Sequence, residues 1–355
     1  MNWIQFWPIY ETILIVAVFA VIIWRLLRSA QRRAQSAPAP ASRPITLGER
    51  IRYIGLRILR LLGAGLGAFL AIALVVMFER NLLTVYLETA PAPSQVQIPA
   101  ELPFEVEEVS FQSEDGLRIS GWYVPPENGA LIILLHGYGG NRTAMIWHAR
   151  QLTEAGYGVL MYDERASGES EGDYRSFGWE DPRDVGGALK FLNTRGDVNP
   201  HQIGISGCSI GGQIALQGAA YYPQIGAIWA DGPSTIRAQD ISEPTNPISA
   251  ILVVSNYMLD WMFEVRLGID APTPMIEIID DIAPRPIMLV GGGVSRPFIG
   301  SEAKGLQKYL HYAGENAELW VISEAFHCDG PGLRPDEYAS RMIAFFDQAF
   351  DVERR

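Results

Sequence analysis

The chain has 355 residues, 28 of them basic and 40 acidic, for a formal charge of −12. That length is enough to bury a sizeable core, and the acidic balance argues against nucleic acid as a partner. The charge is divided: the first 80 residues hold 10 Arg and 3 Glu, a balance of +7, so the remaining 275 carry −19.

The front of the chain is apolar. "ETILIVAVFAVIIW" and "LLGAGLGAFLAIALVVMF" contain no basic residue. With their apolar neighbours each reaches the roughly 20 residues needed to cross a bilayer. They predict two transmembrane helices, at about residues 9–27 and 59–78. The first lacks a basic leader and a small-residue cleavage site, so an anchor is expected rather than a removable signal. Nine arginines, from Arg25 to Arg60, lie between or beside the spans. The positive-inside rule places that loop in the cytoplasm, and the acidic C-terminal part on the extracytoplasmic side of the cell membrane. Residues 1–88 thus read as a two-span anchor, and the Pro-rich stretch 89–103 as a linker.

From Phe104 strands and helices alternate. "FEVEEVSFQS" and "GLRISGWYV" show period-two polarity about an "EDG" hairpin signal. "ALIILLHG" and "YGVLMYDERASGES" begin as continuous apolar runs, expected of strands covered on both faces. "NRTAMIWHARQLTEAG", "DPRDVGGALKFLNTRG" and "SIGGQIALQGAAYY" read as helices; "HQIGISG" and "IGAIWADGP" read as strands. After an irregular stretch come "PIMLVGGG" (strand), "SEAKGLQKYLHYAG" (helix), "AELWVIS" (strand) and "PDEYASRMIAFFDQAF" (helix). This alternation predicts a mostly parallel α/β sheet with helices on both faces. Its ligand site should lie at the carboxyl ends of the strands.

The chemistry centres on "GCSIGG". Gly207-Cys208-Ser209-Ile210-Gly211 fits G-x-S-x-G between a predicted strand and a predicted helix, the context of a nucleophile elbow. A serine needs a base. Of the five histidines, His148 and His311 fall on helix patterns and read as surface or satisfied residues. His201 precedes its strand, at the wrong sheet edge. His136 closes a strand in "LLHGYGGN" and reads as a brace for that loop. His327, in "EAFHCDG" after the last strand, is the expected base. The main-chain N–H groups of Tyr138 and Ile210 are the expected oxyanion donors. Asp163 and Arg165 are expected to organise the loop above the sheet.

In this order "HGYGG", "YDERASGES", "GCSIGG", "IAPRPIMLVGGG" and "SEAFHCDG" resemble the α/β-hydrolase superfamily, over most of residues 104–355. More narrowly they resemble its bacterial serine esterases, lipases and peptidases, membrane-anchored ones included. The resemblance implies an α/β-hydrolase fold and a triad in the order Ser, acid, His. Here the chain departs from the pattern: the usual Asp position after "PIMLV" is near Ser295, and the first carboxylate downstream is Glu302. Glu302 is the expected acid, with Asp231, at the end of "IGAIWAD", as the alternative. Asp280 and Asp281 lie at the wrong end of the strand.

Residues 234–282 read as a cap insertion whose apolar residues either line an acyl pocket, face the nearby membrane or pack the cap on the core. Cys208 and Cys328 read as small packing residues, with a reactive or bridged pair as the alternative. No metal site or organic cofactor is expected, because the histidines show no ligand spacing such as HExxH. The expected activity is cleavage of an ester or thioester of a small or lipid-like acyl substrate through an acyl-enzyme. The alternatives are a peptidase or amidase of the same fold, or a catalytically silent hydrolase-like binding protein.

Overall fold

A strand buried on both faces has no polar side to show, and the central strands follow that logic in the computed structural model of the chain. The structure describes residues 46–241, 243–295 and 300–352, together with Val21, Trp24, Arg25, Arg28 and Arg32. The first predicted span, about 9–27, lies outside the described residues except for Val21, Trp24 and Arg25.

The chain divides into two compact units, Met1–Thr84 and Val85–Arg355. Helix α1 (Leu47–Thr89) supplies most of the described part of the first unit, and its last residues, Val85–Thr89, belong to the second. It is far longer than the span expected at 59–78. Its 43 residues rise about 64 Å, against about 30 Å for a hydrocarbon core. None of its most apolar stretch is buried.

In the second unit the strands are β1 (Glu107–Gln112), β2 (Arg118–Val124), β3 (Leu131–Leu135), β4 (Gly158–Tyr162), β5 (Ile203–Cys208), β6 (Ile225–Asp231), β7 (Ile287–Gly292) and β8 (Ala317–Ile322). They form one eight-stranded sheet in the order β8-β7-β6-β5-β3-β4-β2-β1. The pairs from β8 to β4 are parallel, with Leu131 opposite Ile203 and Ile228 opposite Ile287. Only β2 runs against the rest, pairing antiparallel with both β1 and β4. The β1–β2 turn is the one "EDG" foretold, with Gly116 at φ +88° and its N–H donated to the Ser113 carbonyl.

Alternate residues of β3 enter opposite cores: Leu131, Ile133 and Leu135 one, Ile132 and Leu134 the other. The first core is covered by α3 (Pro182–Leu192), α4 (Ile210–Tyr221) and α6 (Glu302–Ala313), through residues such as Val185, Ile214 and Leu306. The second is covered by α2 (Ile146–Glu154) and α7 (Pro335–Phe350), through Leu152, Tyr338 and Phe346. Because no side chain of β3 reaches water, the run could be apolar throughout.

Two stretches differ from the sequence reading. Residues 89–103, read as a spacer, belong to the second unit: Ala92 and Pro93 pair with Ser167 and Gly168, and the Thr89 carbonyl accepts from Arg175 N–H. The stretch read as irregular contains helix α5 (Pro247–Leu267). The Asn246 side chain accepts from Ser249 N–H, the Ser249 hydroxyl answers to the Asn246 backbone, and Gly268 closes the helix at φ +71°. The Asn-Pro start and glycine stop are ordinary helix punctuation. A 3.6-residue pattern is blurred here because both faces of α5 are apolar.

Candidate active site

Ser209 stands between β5 and α4 with φ 60° and ψ −121°, a conformation a non-glycine residue adopts only when its surroundings impose it. The imposition comes from crowding. A Cβ on Gly207 would lie 2.3 Å from the Gly211 carbonyl carbon, and one on Gly211 would lie 2.5 Å from the Leu135 oxygen. Strand, turn and helix therefore meet at a separation only glycine permits. Main-chain bonds lock the turn: Ser209 N–H donates to the Asp231 carbonyl at 2.8 Å, and the Ser209 carbonyl accepts from Gln213 and Ser234.

The structure brings three of the expected side chains into a line. The Ser209 hydroxyl lies 2.8 Å from His327 Nε2, and His327 Nδ1 lies 2.5 Å from Glu302 Oε1. A carboxylate can only accept, so Nδ1 carries the proton toward Glu302 and Nε2 accepts from the serine hydroxyl. Each partner comes from a separate element: Ser209 from the β5–α4 turn, Glu302 from the first position of α6, and His327 from the loop after β8. Glu302 is itself oriented, since Gly292 N–H donates to its Oε2 at 2.9 Å. Gly232, at φ +53°, makes room for the pair, because a Cβ there would lie 2.8 Å from Glu302 Oε1 and 2.9 Å from His327 Nδ1.

Asp231 sits at the same sheet edge, but its carboxylate turns into the core. It is 4% exposed and accepts from the Tyr338 hydroxyl at 2.9 Å. Burial pushes its pKa up to about 7. Its main-chain carbonyl, rather than its side chain, reaches the elbow.

The loop after β3 lies against the nucleophile, where a Cβ on Gly137 would come 3.5 Å from Ser209 Cβ. Tyr138 follows Gly137 in that loop, and Ile210 opens α4, where the first backbone N–H groups are not consumed by the helix. His136 is buried and braces the loop: Glu164 N–H donates to its Nε2, and its Nδ1–H donates to the Gly137 carbonyl. Burial lowers its pKa, consistent with the neutral form.

Asp163 accepts from Arg142 N–H, the Arg142 guanidinium and Glu169 N–H. Arg165 reaches Asp184, Asp115 and Glu180. Both residues pin the loop, as expected for a structural role. His201 is exposed at the start of β5. His311 is on α6 with its ring against Tyr312. His148, read as surface or satisfied, is in fact buried edge-on to Trp147 and Tyr338, and burial drops its pKa to about 4.

Three further features of the site are set by tertiary contacts. The Ser234 hydroxyl lies 3.2 Å from that of Ser209. Cys208 and Cys328 are joined in a disulfide, the alternative the sequence offered to a pair of packing residues. A cavity of about 460 Å³ opens on Glu302 and His327, walled by Ile241, Leu252, Val253, Val294, Tyr309 and Phe326. No run of sequence announces any of the three, because each joins residues from distant segments. Among the described residues, no group of three or more His, Cys, Asp or Glu could hold a metal ion.

Comparison with known proteins places this geometry. A family model described as "alpha/beta hydrolase fold" matches residues 130–271. An uncharacterized protein of Escherichia coli (strain K12), YfhR, is 28% identical over 262 residues, covering 71% of this chain and 84% of the relative. The thiohydrolase aneE of Aspergillus aculeatus is 33% identical over 120 residues, covering 32% of this chain and 37% of that one. Among solved structures, the Pyrococcus furiosus esterase Pf2001 superposes with a TM-score of 0.59 at 24% identity, over 73% of this chain and 98% of its own. The sheet order, the serine turn and these likenesses agree on the fold: residues 104–352 have the α/β-hydrolase fold.

Proposed function

We propose that the chain is a membrane-anchored serine hydrolase that cleaves an ester or thioester of an acyl substrate. The observation that carries this reading is the position of His327, within hydrogen-bonding reach of both Ser209 Oγ and Glu302 Oε1. Ser209 attacks the acyl carbonyl while His327 takes its proton. Glu302 holds the imidazole in the required tautomer and stabilises its charged form. The oxyanion settles against the N–H groups of Tyr138 and Ile210. Protonated His327 then protonates the leaving oxygen or sulfur, and water, activated by the same imidazole, releases the acid from the acyl-enzyme.

The apolar wall of the 460 Å³ cavity suits an acyl chain. The esterase and thiohydrolase among the relatives support a hydrolase. Anchoring is supported by the exposed apolar stretch of α1. An extracytoplasmic catalytic unit is supported by the arginine-rich segment before that stretch and by the disulfide, which persists in oxidising compartments.

A fluorophosphonate probe tests the nucleophile. The full chain in detergent should label, and Ser209→Ala should not. With p-nitrophenyl butyrate the same variant should lose about a thousandfold or more in kcat with its fold intact. Labelling that survives Ser209→Ala would assign the chemistry to another residue. A folded wild-type chain that neither labels nor turns over any acyl ester would leave the silent binding protein as the reading.

A further inference from the structure

The chain has two cysteines, and they are the neighbours of the two residues that must meet. Cys208 immediately precedes Ser209, and Cys328 immediately follows His327. They are bonded across 120 residues of sequence with Cα atoms 6.2 Å apart, inside the range a disulfide spans without backbone movement. We propose that Cys208 and Cys328 are positioning residues, their disulfide being a covalent tether that holds the imidazole loop against the serine turn. The proposal rests on the serine-hydrolase reading and adds a redox condition to it.

The two ends of the tether differ in what else holds them. Cys208 closes β5 and pairs with Asp231 of β6, so it sits at the end of the strand ladder. The loop around His327 is the more exposed end. Ala325 is buried and Gly330 is buried, but Phe326, His327 and Asp329 between them are exposed. The His327 side chain is 41% exposed although it bonds to both partners. Cys328 itself sits at φ +55°, a left-handed conformation that a non-glycine residue keeps only when its surroundings over-determine it. The disulfide supplies a fixed point one residue from the base, on a segment whose residues Phe326, His327 and Asp329 are exposed.

Catalysis is sensitive to such a point. A displacement of about 1 Å in an aligned group costs about a hundredfold in rate. The disulfide forms when the two thiols give up two electrons and two protons to a disulfide-exchange oxidant, which is itself reduced to a dithiol. It opens when an added dithiol gives them back and becomes the oxidised partner. The tether is therefore closed on the oxidising side of a membrane and open in the reducing cytoplasm. Full activity would then be acquired only after the domain has crossed.

The test uses the full chain in detergent, oxidised or treated with dithiothreitol, with Cys328→Ser measured alongside in case the bond resists reduction. Thiols are counted after denaturation, tertiary structure is followed by near-ultraviolet circular dichroism, and kcat, KM and fluorophosphonate labelling rate are measured. The expected result is no free thiol in the oxidised chain. Opening the bond should lower kcat and labelling rate at least tenfold, leave KM within about twofold and the spectrum unchanged, and reoxidation should restore the rate. Two free thiols in the oxidised chain, or equal rates with the bond open and closed, overturn the proposal. So does loss of the spectrum together with activity, which makes the bond a support of the fold rather than of the site. An oxidised, folded chain inert to the probe sinks the underlying serine-hydrolase reading instead, and the two failures are distinguishable.

Discussion

Glu302 and Asp231 stand close to one imidazole, and their surroundings divide the work between them. Glu302 is part-exposed, accepts a main-chain N–H and lies on His327 Nδ1; Asp231 is buried and holds the Tyr338 hydroxyl. Glu302→Gln should cost about a hundredfold to ten-thousandfold in kcat, because an amide can present its NH2 to Nδ1 and favour the wrong tautomer. Asp231→Asn should leave kcat within about threefold, and steady-state kinetics of the two variants side by side decides between the acids. The Asp231 carboxyl also has a stability signature. Its folded pKa is raised to about 7 by burial, above the ordinary carboxylate value. The unfolded chain therefore releases that proton first, and the contribution to stability is full below about pH 4 and lost as pH rises toward 7. Asp231→Asn should flatten that part of the melting-temperature profile, which thermal denaturation between pH 4 and 8 would show. Equal profiles for variant and wild type would mean that Asp231 is not buried as described.

Helix α5 presents two different faces. Leu252 and Val253 line the cavity, and Met262, Phe263 and Leu267 are buried against the domain. Ile251, Val254, Tyr257, Trp261 and Val265 are exposed, at spacings of three or four residues that put them on one side. Large exposed apolar residues in a stripe mark a contact surface. In a chain read as membrane-anchored, the fitting contact is the bilayer interface, where an apolar face of this kind embeds while the rest of the helix stays with its domain. The sequence left open whether these residues served pocket, membrane or packing. The structure puts some of them on the cavity, some against the domain, and leaves a third set exposed. The double variant Ile251→Asp/Trp261→Asp should lower kcat/KM for a long-chain ester presented in vesicles by about tenfold or more. Turnover of soluble p-nitrophenyl acetate should stay within about twofold. A parallel loss on both substrates would mean that the stripe supports the cap rather than the interface.

The division into units separates the proposed anchor from the hydrolase fold. Residues before Thr84 carry the basic balance and the exposed apolar helix; residues after Val85 carry the sheet and the site. The proposed topology rests on that asymmetry and is open to labelling. Gly196 is exposed, and a Cβ there would meet nothing within 4 Å. A Gly196→Cys thiol should therefore react with a membrane-impermeant maleimide in intact cells. An Arg50→Cys thiol should react only after permeabilisation, because Arg50 lies in the basic segment expected in the cytoplasm. The native cysteines are bonded to one another, so the background is low. The reverse pattern of labelling would invert the orientation proposed for the catalytic unit.

What the sequence determined by itself was whatever local chemistry determines. Doubly buried strands had to be apolar throughout, the elbow had to be flanked by glycines, and the hairpin had to turn at Gly116. The order of the elements was legible for the same reason, since each announces itself within a dozen residues. The long helix, the cap helix and the attachment of residues 89–103 were less legible. The end of α1 lacks a stop signal before Ala90, α5 is apolar on both faces, and strand pairing is not written in the strand that pairs. Only the tertiary structure decided which carboxylate meets His327 Nδ1, that the two cysteines join, and where the cavity opens. Each of those facts is a distance between residues far apart in the chain, 25 for Glu302 and His327 and 120 for the cysteines. Distances of that kind are set by how the sheet brings its loops to one edge, and no local pattern encodes them.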